Sequence, residues 1–142
     1  MCQLMTLFLF QKKVFFALRK SGEHSKFSGR INFDTTADVL EGITEMTSST
    51  FIAPLDGAYG FTFSGTTGDE KSATRVQVYK DGIKHHQIYE GNATDTLNNI
   101  NTSWMMRLTK GQKVHLEVVD GSLYIRDYMP VIFTGNLVSI PI

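Results

Sequence analysis

The 142-residue sequence is poor in cysteine and carries no net charge. Cys2 is the only cysteine, so neither an internal disulfide nor a two-cysteine redox or zinc motif can form. Acidic and basic residues number 14 each, which argues against the basic stripe that nucleic acid binding normally needs. The apolar run that ends at Phe10 is too short to span a membrane. These shortages disfavour disulfide-stapled, nucleic-acid-binding and membrane-spanning proteins.

Known catalytic motifs are missing as well. The sequence contains no nucleophile elbow, HExxH zinc motif, Walker loop or EF-hand loop. The segment from Gly65 to Ser72 has glycines and a lysine, but their spacing differs from that of a phosphate-binding loop. We therefore predict that the protein is not an enzyme and needs no cofactor.

The length fits one domain preceded by a short leader. Residues 1–13 are predicted to be an apolar leader or a partial signal segment, because the apolar run has the size of a signal-peptide core. A basic start and a small-residue cleavage site are missing, so a leader without a function is the alternative. Residues 14–142 are predicted to form the globular domain.

Alternating apolar residues predict short strands along this domain. Tyr59, Phe61 and Phe63 stand at every second position, which in a strand places all three on one face. Residues 100–108 show the same alternation. The turn signals between strands are Asp81-Gly82, Lys110-Gly111 and Asp120-Gly121. Residues 20–29 lack the pattern and are predicted to be a loop, residues 34–49 a loop with short extended pieces, and residues 31–33 a short strand. Eight to ten strands of this kind are typical of an antiparallel sandwich or jelly roll.

The central strand resembles the signature of complement C1q globular-head domains, which share the jelly roll of tumour necrosis factor (TNF). The family pattern F-x5-G-x-Y-x-F-x-[FY] is matched by Phe51, Gly57, Tyr59, Phe61 and Phe63. A closing F-x-G-x-L pattern is matched by Phe133, Gly135 and Leu137. The resemblance runs from Val14 to Ile140 and implies an all-β fold, an antiparallel ten-strand jelly-roll sandwich.

One part of the family pattern is not matched. Val39 and Thr44 stand where the family has Asn or Asp and an aromatic residue or Leu. This marks a divergent member and leaves the conformation of residues 34–49 open. The matched residues are expected to be structural, since each fully buried apolar side chain contributes about 1.5–3 kcal/mol. Gly57 is predicted to provide backbone angles that a turn requires.

The resemblance implies a secreted, non-enzymatic, trimeric recognition domain that binds protein, lipid or glycan ligands, as in innate-immune pattern recognition by lectin-like proteins. The alternative is a TNF-like cytokine ligand for a cell-surface receptor. Three candidate contact loops are 65–71, 90–99 and 120–128. The last contains the predicted ligand-loop residues Tyr124, Arg126 and Tyr128.

The family assembly also predicts a subunit contact. Val114, Leu116 and Val118 are predicted to face the core, so the intervening side chains face outward. Because one sheet of each family subunit faces the threefold axis, the predicted homotrimer interface consists of Tyr79, His115, Glu117 and Val119. A histidine at this contact would make trimer stability change between about pH 5 and 7. The alternative is a solvated surface histidine.

Modification and metal binding remain open from the sequence. Asn92 and Asn101 begin sequons and are predicted glycosylation sites if the chain is secreted. Calcium binding is possible for this family, but no residue is assigned, although the loop acids Asp69, Glu70 and Asp95 could contribute. His85 and His86 are adjacent, so on a regular strand they face opposite ways and cannot share a metal without a bulge.

Overall fold

A computed structural model describes residues 15–20, 25–33, 35–36, 45–46, 49–67, 73–91, 98–125 and 130–141. These residues form eleven strand segments: β1 (Phe15–Lys20), β2 (Ser25–Arg30), β3 (Thr35–Thr36), β4 (Glu45–Met46), β5 (Thr50–Ile52), β6 (Gly57–Thr66), β7 (Thr74–Lys80), β8 (Ile83–Glu90), β9 (Asn99–Leu108), β10 (Lys113–Ile125) and β11 (Val131–Ser139). The predicted all-β jelly roll is confirmed. The predicted count of ten strands is not, and two of the eleven segments have only two residues.

The strands form two antiparallel sheets. Sheet I has the order β3-β1-β11-β6-β9, and sheet II has the order β4-β5-β10-β7-β8, with β2 also paired to β10. Every pairing among them is antiparallel. The edge strands β8 and β9 contact each other, so they lie on the same side of the sandwich.

Aromatic residues of the signature fill the space between the sheets. Tyr59, Phe61 and Phe63 alternate along β6 and are at most 1% exposed, as their spacing predicted. Val76 and Val78 of β7 cover them from sheet II and are fully buried. The prediction that three alternate side chains of β10 face the core is also confirmed, because Val114, Leu116 and Val118 are at most 3% exposed.

Tyr59 ties the central strand to the corner that precedes it. Its hydroxyl donates a 2.6 Å hydrogen bond to the carbonyl oxygen of Leu55 and lies 3.3 Å from the amide nitrogen of the same residue. Burial raises the pKa of the Tyr59 phenol, the backbone N–H of Leu55 that donates to the phenol oxygen opposes this, and the charge of Asp56 raises the pKa further. The folded state therefore favours the neutral, protonated phenol of Tyr59.

We expect Tyr59→Phe to lower the free energy of unfolding by about 1 kcal/mol at neutral pH, because one buried hydrogen bond is lost. In the unfolded chain this tyrosine ionises at about pH 10, whereas the folded chain resists ionisation. Its contribution is thus complete below about pH 10 and is lost as the pH rises through the raised value. Urea denaturation should show the advantage of the wild type shrinking above about pH 10. A constant difference across that range would contradict this explanation.

Three sequence predictions of secondary structure are wrong. Residues 25–30 form strand β2 rather than a loop, because they pair with β10 of sheet II, and Phe27 packs against the core. Residues 31–33 do not form the predicted short strand, although Ile31 and Phe33 are 0% and 4% exposed. Asp120-Gly121 is not a hairpin turn, since β10 continues through it with a shift in register and Gly121 has a φ of 68°. By contrast, Asp81-Gly82 forms the predicted hairpin turn, with φ values of 51° and 77°.

The role predicted for Gly57 is also wrong. Its φ is not positive, so it provides no unusual backbone angle. A Cβ atom at this position would lie 2.7 Å from Cδ1 of Leu137 and would collide with the backbone oxygen of Ser139. Glycine is needed here because β6 approaches the end of β11 too closely for a side chain.

Candidate functional site

The outer face of sheet II carries the residues that the sequence assigned to a subunit contact. The rings of Tyr79 on β7 and His115 on β10 are stacked, with centroids 4.7 Å apart and planes 2° from parallel. Nε2 of His115 lies 2.8 Å from Oε2 of Glu117. The structure therefore brings three of the four predicted interface residues together within one chain.

This cluster is largely enclosed by its own chain. His115 is only 7% exposed, although it stands on the outward side of β10. Gln77 is 5% exposed, and its Nε2 donates a 2.7 Å hydrogen bond to the carbonyl oxygen of His86. Val119, the fourth predicted residue, is 43% exposed. His115 thus needs no second subunit to be buried, and its place at a trimer contact stays a prediction.

Charged and hydroxyl groups surround this cluster. Arg30 stands opposite Glu117 in the β2–β10 pairing, and its guanidinium donates to the hydroxyls of Ser49 and Thr50 at 3.1 and 2.8 Å. Further along the same face, an ion pair of 3.0 Å joins Arg75 and Asp120. Both of its side chains are about half exposed, so it contributes about 0–1 kcal/mol. These polar groups on the outer face of sheet II therefore have partners within the chain, and Tyr89 and Val119 of the same sheet are 55% and 43% exposed.

The outer face of sheet I carries an apolar patch, which we define as Gly60, Met105 and Val138. Met105 is 60% exposed and stands opposite Gly60 in the β6–β9 pairing. Val138 is 45% exposed, and its Cγ2 lies 3.4 Å from the position a Cβ of Gly60 would take. The patch therefore runs across three neighbouring strands, β9, β6 and β11.

Sequence reasoning missed this patch. Met105 is flanked on the outward side of β9 by Ser103 and Arg107, so its position looked like one more residue on a polar face. The signal was present, because methionine is an apolar residue in an otherwise polar alternation. What the sequence could not give was the register that puts Val138 beside Gly60.

The predicted ligand-loop residues do not form a loop where the structure describes them. Tyr124 lies in β10 opposite Lys26 of β2 and is half-buried. The loop prediction for residues 120–125 is therefore wrong, because that stretch pairs as a strand. Arg126 and Tyr128 lie outside the described residues.

Of the other predicted sites, some lie within the described residues and some lie outside them. Asn101 is exposed on the outward side of β9, as predicted, and its glycosylation stays a prediction. Asn92 and the loop acids Asp69, Glu70 and Asp95 lie outside the described residues. Among the residues that the structure describes, no group of three or more histidine, cysteine, aspartate or glutamate side chains could hold a metal ion.

The adjacent histidines depart from the regular alternation. Val78 pairs with His86 and Tyr79 pairs with Lys84, so His85 forms a bulge in β8. The Nδ1 atoms of His85 and His86 are 2.8 Å apart. Burial lowers the pKa of His86, and the charge of His85 lowers it further. The bulge without which His85 and His86 could not share a metal ion is therefore present.

Comparison with known structures defines the class of fold. The globular domain of zebrafish complement 1qA protein matches with a TM-score of 0.68 and 14% identity, covering 91% of this chain and 99% of that one. Eiger TNF from S. frugiperda matches with a TM-score of 0.69 and 11% identity, covering 90% of this chain and 95% of that one. Murine APRIL, in a crystal structure at pH 5.0, matches with a TM-score of 0.70 and 11% identity, covering 89% of this chain and 100% of that one. The fold is therefore the C1q/TNF jelly roll.

Sequence comparison then separates the two branches of that class. The family model for the C1q domain matches residues 14–138, while no curated protein sequence matches the chain. The chain belongs to the C1q domain family. Its members are generally non-enzymatic binding domains that are commonly extracellular and typically form trimers. Within the described residues, no helix is long and apolar enough to cross a membrane.

Proposed function

We propose that the protein is a secreted recognition domain that works as a homotrimer, with no catalytic step of its own. The C1q family match over residues 14–138 carries this proposal. A trimer presents three equivalent heads, so weak contacts of single heads add up through their high effective concentration. Ligands of this domain are protein, lipid or glycan surfaces, as in innate-immune recognition.

The apolar patch on sheet I is the subunit contact in this proposal. Met105 and Val138 expose large apolar side chains on one face, and Gly60 between them lets a second backbone approach closely. The outer face of sheet II offers less, because its histidine is already enclosed and its polar groups are paired. The contact predicted from the sequence, through Tyr79 and His115, is the competing arrangement.

A matched pair of substitutions separates these arrangements. Val138 and Val119 are 45% and 43% exposed and lie on sheets I and II, so Val138→Glu and Val119→Glu make the same change at equal exposure. Burying an unpaired carboxylate is costly, so we expect Val138→Glu to weaken trimer association by about tenfold or more. Size-exclusion chromatography with light scattering measures the trimer fraction of each. If Val119→Glu dissociates the trimer and Val138→Glu does not, the sheet II contact is correct.

The family's other branch supplies the alternative function, a TNF-like cytokine ligand. The specific observation in its favour is that two TNF-fold structures match as well as the C1q domain does. The sequence match to the C1q family favours recognition instead. A glycan array probed with the full chain, alongside pull-down with receptor ectodomains, separates the two. Binding to a defined glycan class supports recognition, and binding to a receptor alone supports the cytokine.

A further inference from the structure

The bulge in β8 creates a feature that the recognition function does not use. A regular strand would turn the side chains of His85 and His86 to opposite faces. Here His85 has no partner residue on β7, and the alternation is broken between Lys84 and His86. The two imidazole rings therefore meet, with centroids 5.1 Å apart and planes at 77°.

The distance between the ring nitrogens fits coordination of one metal ion. The two Nδ1 atoms are 2.8 Å apart. Nitrogens that bind an ion at a right angle are about 2.9 Å apart when each metal–nitrogen bond is about 2.0–2.1 Å, whereas a tetrahedral angle separates them by about 3.4 Å. Both nitrogens therefore lie close enough together to bind the same ion.

The surroundings determine which nitrogens are available. Nε2 of His86 is buried and has no hydrogen-bond partner, so Nδ1 is the nitrogen of this ring that an ion can reach. His85 is exposed, which leaves an open path from solvent and lets its ring turn towards an ion. Lys84 precedes the pair and is exposed as well, so its ammonium can point into water.

We propose that His85 and His86 bind one divalent transition-metal ion through their Nδ1 atoms, with Cu²⁺ bound more tightly than Ni²⁺ or Zn²⁺. Water fills the other coordination positions, because no third protein ligand stands close by among the described residues. The order of affinity follows the general preference of nitrogen sites for divalent ions. In the metal-free protein the same two atoms share a hydrogen bond.

The protein carries its own probe for this site. Trp104 is the single tryptophan, and its ring centroid lies 4.8 Å from that of His86. A paramagnetic Cu²⁺ ion bound at the pair would therefore quench the fluorescence of Trp104. Titration of the untagged full chain with Cu²⁺ is expected to give saturable quenching at one ion per chain, and Zn²⁺ should reverse it only in large excess.

The variants decide whether the pair is the site. We expect His85→Ala to weaken the quenching affinity by about tenfold or more, since one of two ligands is removed and an exposed side chain is not needed for folding. Lys84→Ala, an exposed neighbour on the same strand, should bind like the wild type. Electron paramagnetic resonance of the Cu²⁺ complex should show coupling to two nitrogens in the wild type. Unchanged quenching in His85→Ala, or a spectrum without nitrogen coupling, would overturn the proposal.

Discussion

Replacing Phe61 by alanine is expected to lower the free energy of unfolding by about 3–5 kcal/mol. Its ring is 1% exposed and lies at the centre of the aromatic core. It packs against four other aromatic rings at centroid distances of 5.5–6.3 Å, those of Phe51, Tyr59, Trp104 and Phe133. Truncation leaves a cavity among rings that belong to both sheets, so neighbouring side chains cannot collapse into it without moving strands.

The effect is measured by urea denaturation at one fixed protein concentration, because trimer formation would make stability depend on concentration. Phe27→Ala is the matched control. Phe27 lies on β2, is only half-buried and packs at the margin of the core, so the same truncation should cost clearly less there. Equal losses for the two variants would show that the core is not centred on Phe61.

Gly57→Ala is expected to destabilise the fold by about 2–3 kcal/mol, although alanine is usually the better residue within a strand. The added methyl group would meet the side chain of Leu137 at 2.7 Å and the backbone oxygen of Ser139. A flexible side chain can move away, but the backbone of β11 can move only if its pairing with β6 shifts. The cost therefore comes from overpacking and not from backbone angle.

Gly65→Ala provides the control on the same strand. A Cβ there would have its nearest neighbours at 3.6 Å, which is ordinary van der Waals contact. We expect Gly65→Ala to be close to neutral in the thermal unfolding midpoint and Gly57→Ala to lower it by several degrees. If both substitutions were neutral, the close approach of β6 and β11 would be wrong.

The core was predictable because one simple periodicity governs it. Tyr59, Phe61 and Phe63 alternate so regularly that a single buried face follows from strand geometry alone. Trp104 and Met106 on β9 follow the same rule, although Trp104 is only partly buried. The signature residues then connected this strand with a family, and the family connected it with a fold.

The remaining features depend on register and on deviations from regular strands. β2 escaped prediction because its neighbour β10, and not its own sequence, makes it a strand. The meeting of His85 and His86 requires one unpaired residue in β8, and adjacent histidines do not reveal a bulge. The role of Gly57 was misjudged because a turn and a close approach between strands both select glycine, and only the position of β11 tells them apart.

The two outer faces now lead to different expectations. Sheet II presents paired polar groups, including the stacked rings of Tyr79 and His115. Sheet I presents Met105 and Val138, which are 60% and 45% exposed. If other subunits cover the outer face of sheet I, the ligand must be recognised through the loops and the surface of sheet II. The proposed metal site on β8 then remains accessible.

Sedimentation equilibrium of the full chain over a hundredfold range of concentration tests the trimeric recognition domain most directly. The proposal predicts a species with three times the 15.9 kDa mass of one chain, which persists at the lowest concentration because three apolar patches are buried together. A single species of 15.9 kDa at every concentration would contradict the trimer and, with it, the recognition mechanism that depends on three linked heads.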